Sequence, residues 1–189
     1  MGRNSRCKWA DSSDLMVTYH DTEWGVPCRD DLALFGKLVL DGAQAGLSWS
    51  TILNKRQGYL AAFDNFDPVK MARYNQRKVD RLLKDPGIVR NKLKIASAIK
   101  NAKAYLRVQE ESGSFGDLLW GFVNGEPIIN HWKTPEQVPA TSAESDAMSA
   151  ELKARGFSFV GSTICYAFMQ AVGMVNDHTT DCFRHAALG

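Results

Sequence analysis

Two Cys/His pairs near opposite ends of the chain have the spacing of metal ligands. His178 and Cys182 are separated by three residues, which places both side chains on one side of a turn, and Cys7 and His20 supply a second pair of soft ligands. One such pair alone is more often explained by core packing or coincidence. The four side chains together would complete a tetrahedral zinc shell and leave no position for water. The sequence therefore predicts one structural, non-hydrolytic zinc ion that holds the terminal segments together.

A second group of residues combines aromatic rings with a carboxylate. Trp9, Tyr19 and Trp24 lie near the N-terminus, and Asp41 and Trp49 flank a glycine-containing segment. An enzyme that acts on a nucleic-acid base must take the base out of the stack, and aromatic faces with a hydrogen-bonding side chain can hold it there. A cationic base would gain most from an electron-rich ring and a nearby carboxylate. The alternative is that each tryptophan is a core anchor.

A third feature is a strongly basic segment. Residues 70–107 contain 12 of the 23 Lys and Arg residues and 2 of the 21 Asp and Glu residues, a net charge of +10 within a chain of net charge +2. Two helices joined by a tight turn at Pro86-Gly87 are expected at about 75–107. Such a turn can present backbone N–H groups and basic side chains to phosphates, which positions DNA without reading its sequence. A plain corner between two solvated helices is the alternative.

The elements that must position these residues are predicted to be helices. Leu93, Ile99 and Tyr105 belong to an apolar stripe with helical spacing, and basic residues lie between its members. A glycine-rich break is expected at 42–46, and residues 124–140, with three prolines, are predicted to form a long loop. Because no alternating strand of useful length is evident, the predicted fold class is all-α.

Length and composition limit the possibilities further. With 189 residues, of which 44% are hydrophobic, the chain fits one compact domain over 1–189, with two helical lobes as an alternative. No segment has the apolar length of a membrane helix, and the first residues lack the apolar core of a signal peptide. Four scattered cysteines do not make a secreted disulfide framework. We therefore expect a cytoplasmic protein without membrane contact.

Several longer motifs resemble one known family. The chain is similar to the DNA-3-methyladenine glycosylase I family in five segments that occur in the same order. They are YHDTEWGVP (19–27), QAGLSW (44–49), FDPVK (66–70), GIVRNKLKI (87–95) and FVGSTICYAFMQAVGMVNDH (159–178). The resemblance covers almost the whole chain. It implies an all-α, helix-hairpin-helix glycosylase fold in which a zinc site joins the N- and C-terminal segments.

The resemblance also implies roles for individual residues. The zinc ligands would be the four residues already identified by spacing. Trp49 would stack on the base and Tyr19 would hydrogen-bond to it, with Trp9 and Trp24 as aromatic neighbours of the base pocket. Gly46 and Leu47 would approach the gap left by the flipped base. The DNA-gripping hairpin would extend from Gly87 to Lys92 and include Val89 and Arg90.

Two positions depart from the family pattern. The family usually has glutamate where this chain has Asp41, so the carboxylate is about 1.5 Å shorter in reach. The family can also have a tyrosine where this chain has Met16, which removes one hydroxyl from the pocket. The carboxylate is kept, but its contact with the base is expected to be looser or water-mediated.

The predicted function is excision of 3-methyladenine, a cationic alkylated adenine, from double-stranded DNA by a monomeric, monofunctional glycosylase. Strong acid catalysis is not required, because the methylated base already carries the positive charge of a good leaving group. Two alternatives remain close to this function, namely a zinc-stabilised DNA-binding module without activity and a glycosylase whose lesion specificity is altered by Asp41. A zinc hydrolase is a third alternative.

Overall fold

The computed structural model describes residues 5–189, and helices account for most of them. The ten α-helices of this part of the chain are α1 (Asp14–Thr22), α2 (Asp31–Gln44), α3 (Trp49–Ala62), α4 (Pro68–Ala72), α5 (Gln76–Leu82), α6 (Lys92–Ser112), α7 (Phe115–Trp120), α8 (Ala143–Ala154), α9 (Ser162–Ala171) and α10 (Phe183–Ala187). Short 3-10 turns cover Lys8–Ser12, Asp64–Phe66, Gly121–Val123 and Pro135–Gln137. The prediction of a helical protein is confirmed.

Helix α2 lies at the centre of the core. It begins after Asp30, whose carboxylate accepts a hydrogen bond from the Ala33 N–H group, and it contacts α3, α6, α7 and α9. Its side chains Leu34, Phe35 and Leu38 are completely buried. Full burial of a side chain of this size contributes roughly 1.5–3 kcal/mol, so α2 is the scaffold that the other helices pack around.

The predicted helix break at 42–46 is wrong for residues 42–44, which are helical, and correct at Gly46. Helix α2 continues through Gly42 to Gln44, and the chain turns at Gly46, where φ is +75°. Gly42 is required for packing, because a Cβ atom there would lie 3.3 Å from Cβ of Phe159. Asp41 is therefore held on the rigid last turns of a buried helix.

Residues 124–140 contain a small strand that the sequence did not reveal. Strand β1 (Ile128–Ile129) pairs in parallel with β2 (Val175–Asn176), with Ile128 opposite Val175. Each strand has two residues, too few for an alternating pattern to be recognised. The pairing brings the segment after α9 beside the loop after α7.

The two chain ends of the described region meet. The N–H group of Phe183 donates a hydrogen bond of 3.0 Å to the carbonyl of Ser5. Among residues 5–189, none of the helices combines the length and the apolar character needed to cross a membrane.

Candidate functional site

The four predicted metal ligands converge at this junction of the termini. Cys7 precedes the first 3-10 turn, His20 lies on α1, His178 follows β2, and Cys182 is the residue before α10. All four side chains are buried, and their ligand atoms lie within 4.8 Å of one another. Spacing alone therefore identified a set that the fold brings together.

Three of the donor–donor distances match those of a tetrahedral zinc site. Sγ of Cys182 lies 3.4 Å from Nε2 of His20 and 3.5 Å from Nδ1 of His178, and Sγ of Cys7 lies 3.6 Å from the same Nδ1 atom. With usual Zn–S and Zn–N bond lengths, sulfur and nitrogen atoms of one tetrahedron are about 3.6 Å apart. The two cysteines and two histidines therefore fit one four-coordinate metal ion.

Outer hydrogen bonds orient both imidazoles toward the cluster. Nδ1 of His20 lies 2.8 Å from a carboxylate oxygen of Asp21, which leaves Nε2 to face the cysteines. Nε2 of His178 lies 3.3 Å from the carbonyl oxygen of Trp24, which leaves Nδ1 to face them. Partners of this kind are typical of metal-bound histidines. The pKa of Cys182 is lowered, first by the hydrogen bond with the Cys7 thiol and then, against desolvation, by hydrogen bonds with the two histidines.

A cavity of about 350 Å³ opens beside this cluster. Its size is near the lower end of the range for small-molecule sites, roughly 300–1,000 Å³. The walls come from the first 3-10 turn, α1, α2, α3 and α9, and they include all five predicted base-pocket residues, Trp9, Tyr19, Trp24, Asp41 and Trp49. Met16 also lines the cavity, as expected from its position. We call this cavity the base pocket.

The aromatic rings of the base pocket support one another. The ring centroids of Trp9 and Trp24 are 5.0 Å apart, edge to face, and those of Tyr19 and Trp49 are 5.3 Å apart. Trp24 also packs edge to face against the His178 ring, at 4.5 Å. Such contacts each contribute roughly 0.5–1.5 kcal/mol beyond burial. The Cys/His cluster thus fixes one wall of the base pocket.

Asp41 provides a buried carboxylate of which only one oxygen has a hydrogen-bond partner. The residue is 2% exposed, and its Oδ1 atom forms a short ion pair with Nζ of Lys37, one helical turn earlier. Its Oδ2 atom, like Nε1 of Trp49, is buried without a hydrogen-bond partner anywhere in residues 5–189. A buried polar atom without a partner costs roughly 1–3 kcal/mol, so both atoms have unused hydrogen-bonding capacity at the wall of this cavity.

Lys37, Gln44 and Gln170 also line the base pocket, although sequence reasoning did not single them out. Nζ of Lys37 lies 4.1 Å from the centroid of the Trp49 ring. Burial lowers the pKa of Lys37 and raises that of Asp41, and in each case the opposite charge of the partner counteracts the shift. The i,i+4 spacing of Lys37 and Asp41 on a helix was the signal that could have revealed this pair.

The loop after α2 places an apolar side chain at the mouth of the site. Leu47 is 40% exposed, and its N–H group donates a 2.6 Å hydrogen bond to the carbonyl of Gln44. The ammonium of Lys94 donates to the carbonyls of Ala43 and Ala45, at 2.7 Å each. These carbonyls end α2, where a cation is favoured by the helix dipole. The first turn of α6 is therefore tied to the loop of Gly46 and Leu47.

The turn between α5 and α6 is built on α3. The N–H group of Gly87 donates to a carboxylate oxygen of Asp85 at 2.7 Å, and that of Val89 donates to the Tyr59 hydroxyl at 3.2 Å. Both of these N–H groups are thus engaged within the protein. Arg90 and Lys92 are exposed. Their side chains are therefore available to a partner.

Comparisons with known proteins agree with this geometry. The family model "Methyladenine glycosylase" matches residues 9–185. DNA-3-methyladenine glycosylase 1 of Escherichia coli (strain K12) is 49% identical over 177 residues, which are 94% of this chain and 95% of the relative.

Solved structures agree as well. A crystal structure of 3-methyladenine DNA glycosylase I superposes with a TM-score of 0.93 at 47% identity, covering 95% of this chain and 98% of that one. A variant of 3-methyladenine DNA glycosylase I in complex with 3-methyladenine superposes with a TM-score of 0.91 at 34% identity, covering 94% and 96%. This chain belongs to the methyladenine glycosylase family.

Proposed function

We propose that this protein is a DNA repair enzyme that excises 3-methyladenine from DNA by hydrolysis of the N-glycosidic bond. The observation that carries the proposal is the base pocket, in which aromatic rings surround a buried carboxylate with an unsatisfied oxygen. A 3-methyladenine DNA glycosylase I that is 34% identical to this chain holds 3-methyladenine in its structure. This chain matches the methyladenine glycosylase family model, which supports the same ligand here.

In the proposed mechanism the modified nucleotide leaves the duplex and its base enters the base pocket. Trp49 stacks on the base, Oδ2 of Asp41 accepts a hydrogen bond from the exocyclic amine, and the Tyr19 hydroxyl donates to the base edge. Burial and the nearby Asp41 carboxylate raise the pKa of Tyr19 well above its usual value, so the hydroxyl remains a donor. Trp9 and Trp24 exclude water from the remaining edge.

The charge of the substrate reduces the catalysis that the protein must supply. N3-methylated adenine in DNA is a cation, and cleavage of the glycosidic bond leaves the electron pair on the base, which departs neutral. The sugar becomes oxocarbenium-like and is attacked by water. The protein therefore contributes extrusion, fit and electrostatic stabilisation, without a dedicated general acid.

We further propose how the enzyme holds double-stranded DNA. Leu47, presented by the turn at Gly46, fills the gap that the flipped base leaves. The α5–turn–α6 unit acts as a helix-hairpin-helix in which Arg90 and Lys92 contact the phosphate backbone, while Gly87 and Val89, whose N–H groups are engaged within the protein, shape the turn that carries them. Contacts of this type position the duplex and do not read its sequence. Lys94 supports the proposal because it links the two DNA-contacting segments.

We assign a zinc ion to Cys7, His20, His178 and Cys182. When bound, it would neutralise the two thiolates and cross-link the terminal segments. The four protein donors fill a tetrahedral shell, so the zinc ion is structural. The enzyme is proposed to work as a single domain and a monomer in the cytoplasm.

The decisive experiment is chromatography of the bases released from methylated double-stranded DNA. We expect 3-methyladenine to be released by the wild-type protein, and Trp49→Ala to lose at least about 100-fold of this activity with only a modest loss of DNA affinity, because stacking on a flipped base is removed. Phe122→Ala, a partly buried aromatic residue away from the base pocket, is the matched control. DNA binding without any base release would favour the non-catalytic module.

The set of released bases tests the effect of Asp41 on specificity. Asp41→Glu restores the longer carboxylate expected from the family pattern. If the wild type released other lesions but no 3-methyladenine, while Asp41→Glu released it, the natural substrate would be a different alkylated base.

The zinc hydrolase alternative is tested by the coordination of the metal ion. An ion at the Cys/His cluster with an open coordination position would support a hydrolase.

A further inference from the structure

The base pocket already contains a cation of its own. The ammonium of Lys37 lies 4.1 Å from the centroid of the Trp49 ring and pairs with Oδ1 of Asp41. Its side chain is 17% exposed, and that of Asp41 is 2% exposed. The Trp49 ring and the Asp41 carboxylate are two of the groups in the base pocket that attract positive charge, and Lys37 engages both of them.

This arrangement changes what the base pocket can distinguish. A carboxylate and a π-face without a neighbouring cation favour a positively charged base over a neutral base of the same shape. With Lys37 ionised, the Lys37–Asp41 pair has no net charge, and a cationic base must either approach the ammonium or displace it. A neutral base meets neither cost, because it can use Oδ2 of Asp41 and the ring surface without charge repulsion.

We propose that Lys37 is a specificity-determining residue that weakens the preference of the base pocket for binding cationic bases over neutral alkylated bases. The proposal rests on the assignment of the base pocket in the proposed function. It differs from an effect of the shorter Asp41 side chain, because it concerns the charge of the pocket and not its reach. Glu23 and Arg56 form an ion pair near Lys37, and their charges act on it in opposite directions.

The test uses two ligands of the same shape and different charge. The 3,9-dimethyladeninium ion carries a permanent positive charge, and 3-deaza-3,9-dimethyladenine is its neutral counterpart. Dissociation constants for both are measured by calorimetry at pH 8 with the wild type, Lys37→Met, Asp41→Asn and the double variant. Lys153→Met, which removes an exposed lysine on α8, is the matched control.

The ratio of cation affinity to neutral affinity should follow the pocket charge. We expect Lys37→Met to raise the ratio about 100- to 300-fold, the size expected for two charges about 5 Å apart at an effective dielectric constant of about 20. Asp41→Asn should lower it by a similar factor, and the double variant should return it close to the wild-type value. Lys153→Met should leave it unchanged.

The outcomes separate the two proposals. If both ligands bind but the ratio is the same in all four proteins, or falls in Lys37→Met, the role of Lys37 is overturned and the base pocket stands. If neither ligand binds the wild type, the base pocket itself is wrong and both proposals fail. Binding of the neutral ligand to Lys37→Met also shows that this variant is folded.

Discussion

Substitution of Gly58 by alanine should displace the turn proposed to grip DNA. Gly58 lies inside α3, directly against the turn, and a Cβ atom at this position would lie 2.2 Å from the carbonyl oxygen of Gly87. A carbon–oxygen contact needs about 3.3 Å, so the turn must move by about 1 Å. The movement would also stretch the 3.2 Å hydrogen bond between the Val89 N–H group and the Tyr59 hydroxyl.

The net effect can be estimated from three contributions. Alanine inside a helix is more favourable than glycine by about 1 kcal/mol. Overpacking against backbone costs roughly 1–3 kcal/mol, and loss of the hydrogen bond costs about 1 kcal/mol more. We therefore expect Gly58→Ala to lower the free energy of unfolding by about 2 kcal/mol, which corresponds to a decrease of about 4–8 °C in Tm for a protein of this size.

The assays are urea unfolding, duplex binding and binding of free 3-methyladenine. Duplex affinity should decrease because the turn is displaced, whereas affinity for the free base should be unchanged. Gly121→Ala is the control, since Gly121 has helical angles (φ −57°, ψ −29°) and its Cβ position has no atom within 4 Å. If Gly58→Ala were as stable as Gly121→Ala and bound duplex equally well, the close contact between α3 and the turn would not be a constraint.

Three further predictions concern separate parts of the molecule. Elemental analysis of the purified protein should find one zinc ion per chain. Cys182→Ala should lose the zinc ion and unfold at a lower temperature, whereas the control variant Cys28→Ala should retain the zinc ion. Leu47→Ala should reduce base release from duplex DNA about tenfold without changing affinity for the free base, and an equal loss in both would contradict the gap-filling role. Although burial alone would raise the pKa of Asp31, hydrogen bonds from the Gly116 and Phe115 N–H groups and from Gln109 hold it below its usual 3.8. The stability that this carboxylate contributes is thus present above about pH 4 and is lost as the pH falls through the lowered pKa, so acid titration of unfolding should show a weaker pH dependence in Asp31→Asn.

The Cys/His cluster was predictable because its residue types indicate its chemistry. Few functions other than metal binding bring two cysteines and two histidines together, and the separation of His178 and Cys182 already placed two ligands on one turn. The similarity of several motifs to one family selected the same set. The helical class was predictable for a related reason, since amphipathic spacing indicates helices. The buried face of α6 was predicted only in part, because Tyr105 is buried but Leu93 is 68% exposed.

The parts that were missed depend on contacts between distant segments. Gly42 was predicted to break α2, but the helix continues to Gln44, because α2 is buried against α3, α6, α7 and α9 and this packing outweighs the poor helix propensity of glycine. The charge state of the base pocket was also missed. Lys37 resembles an ordinary surface lysine in the sequence, and only the packing of α2 against α3 shows that its ammonium meets the Trp49 ring.

The junction of the termini has a consequence for the order in which the protein matures. Trp24 is synthesised 154 residues before His178, the ring against which it packs. While the residues between them are being made, a nascent chain exposes this aromatic wall, and chaperones have an opportunity to bind it there. Only when Cys182 has emerged can the cluster close and the pocket take its final shape. Base excision consequently depends on a segment made long after the aromatic wall, and a chain that stops before Cys182 should leave DNA intact.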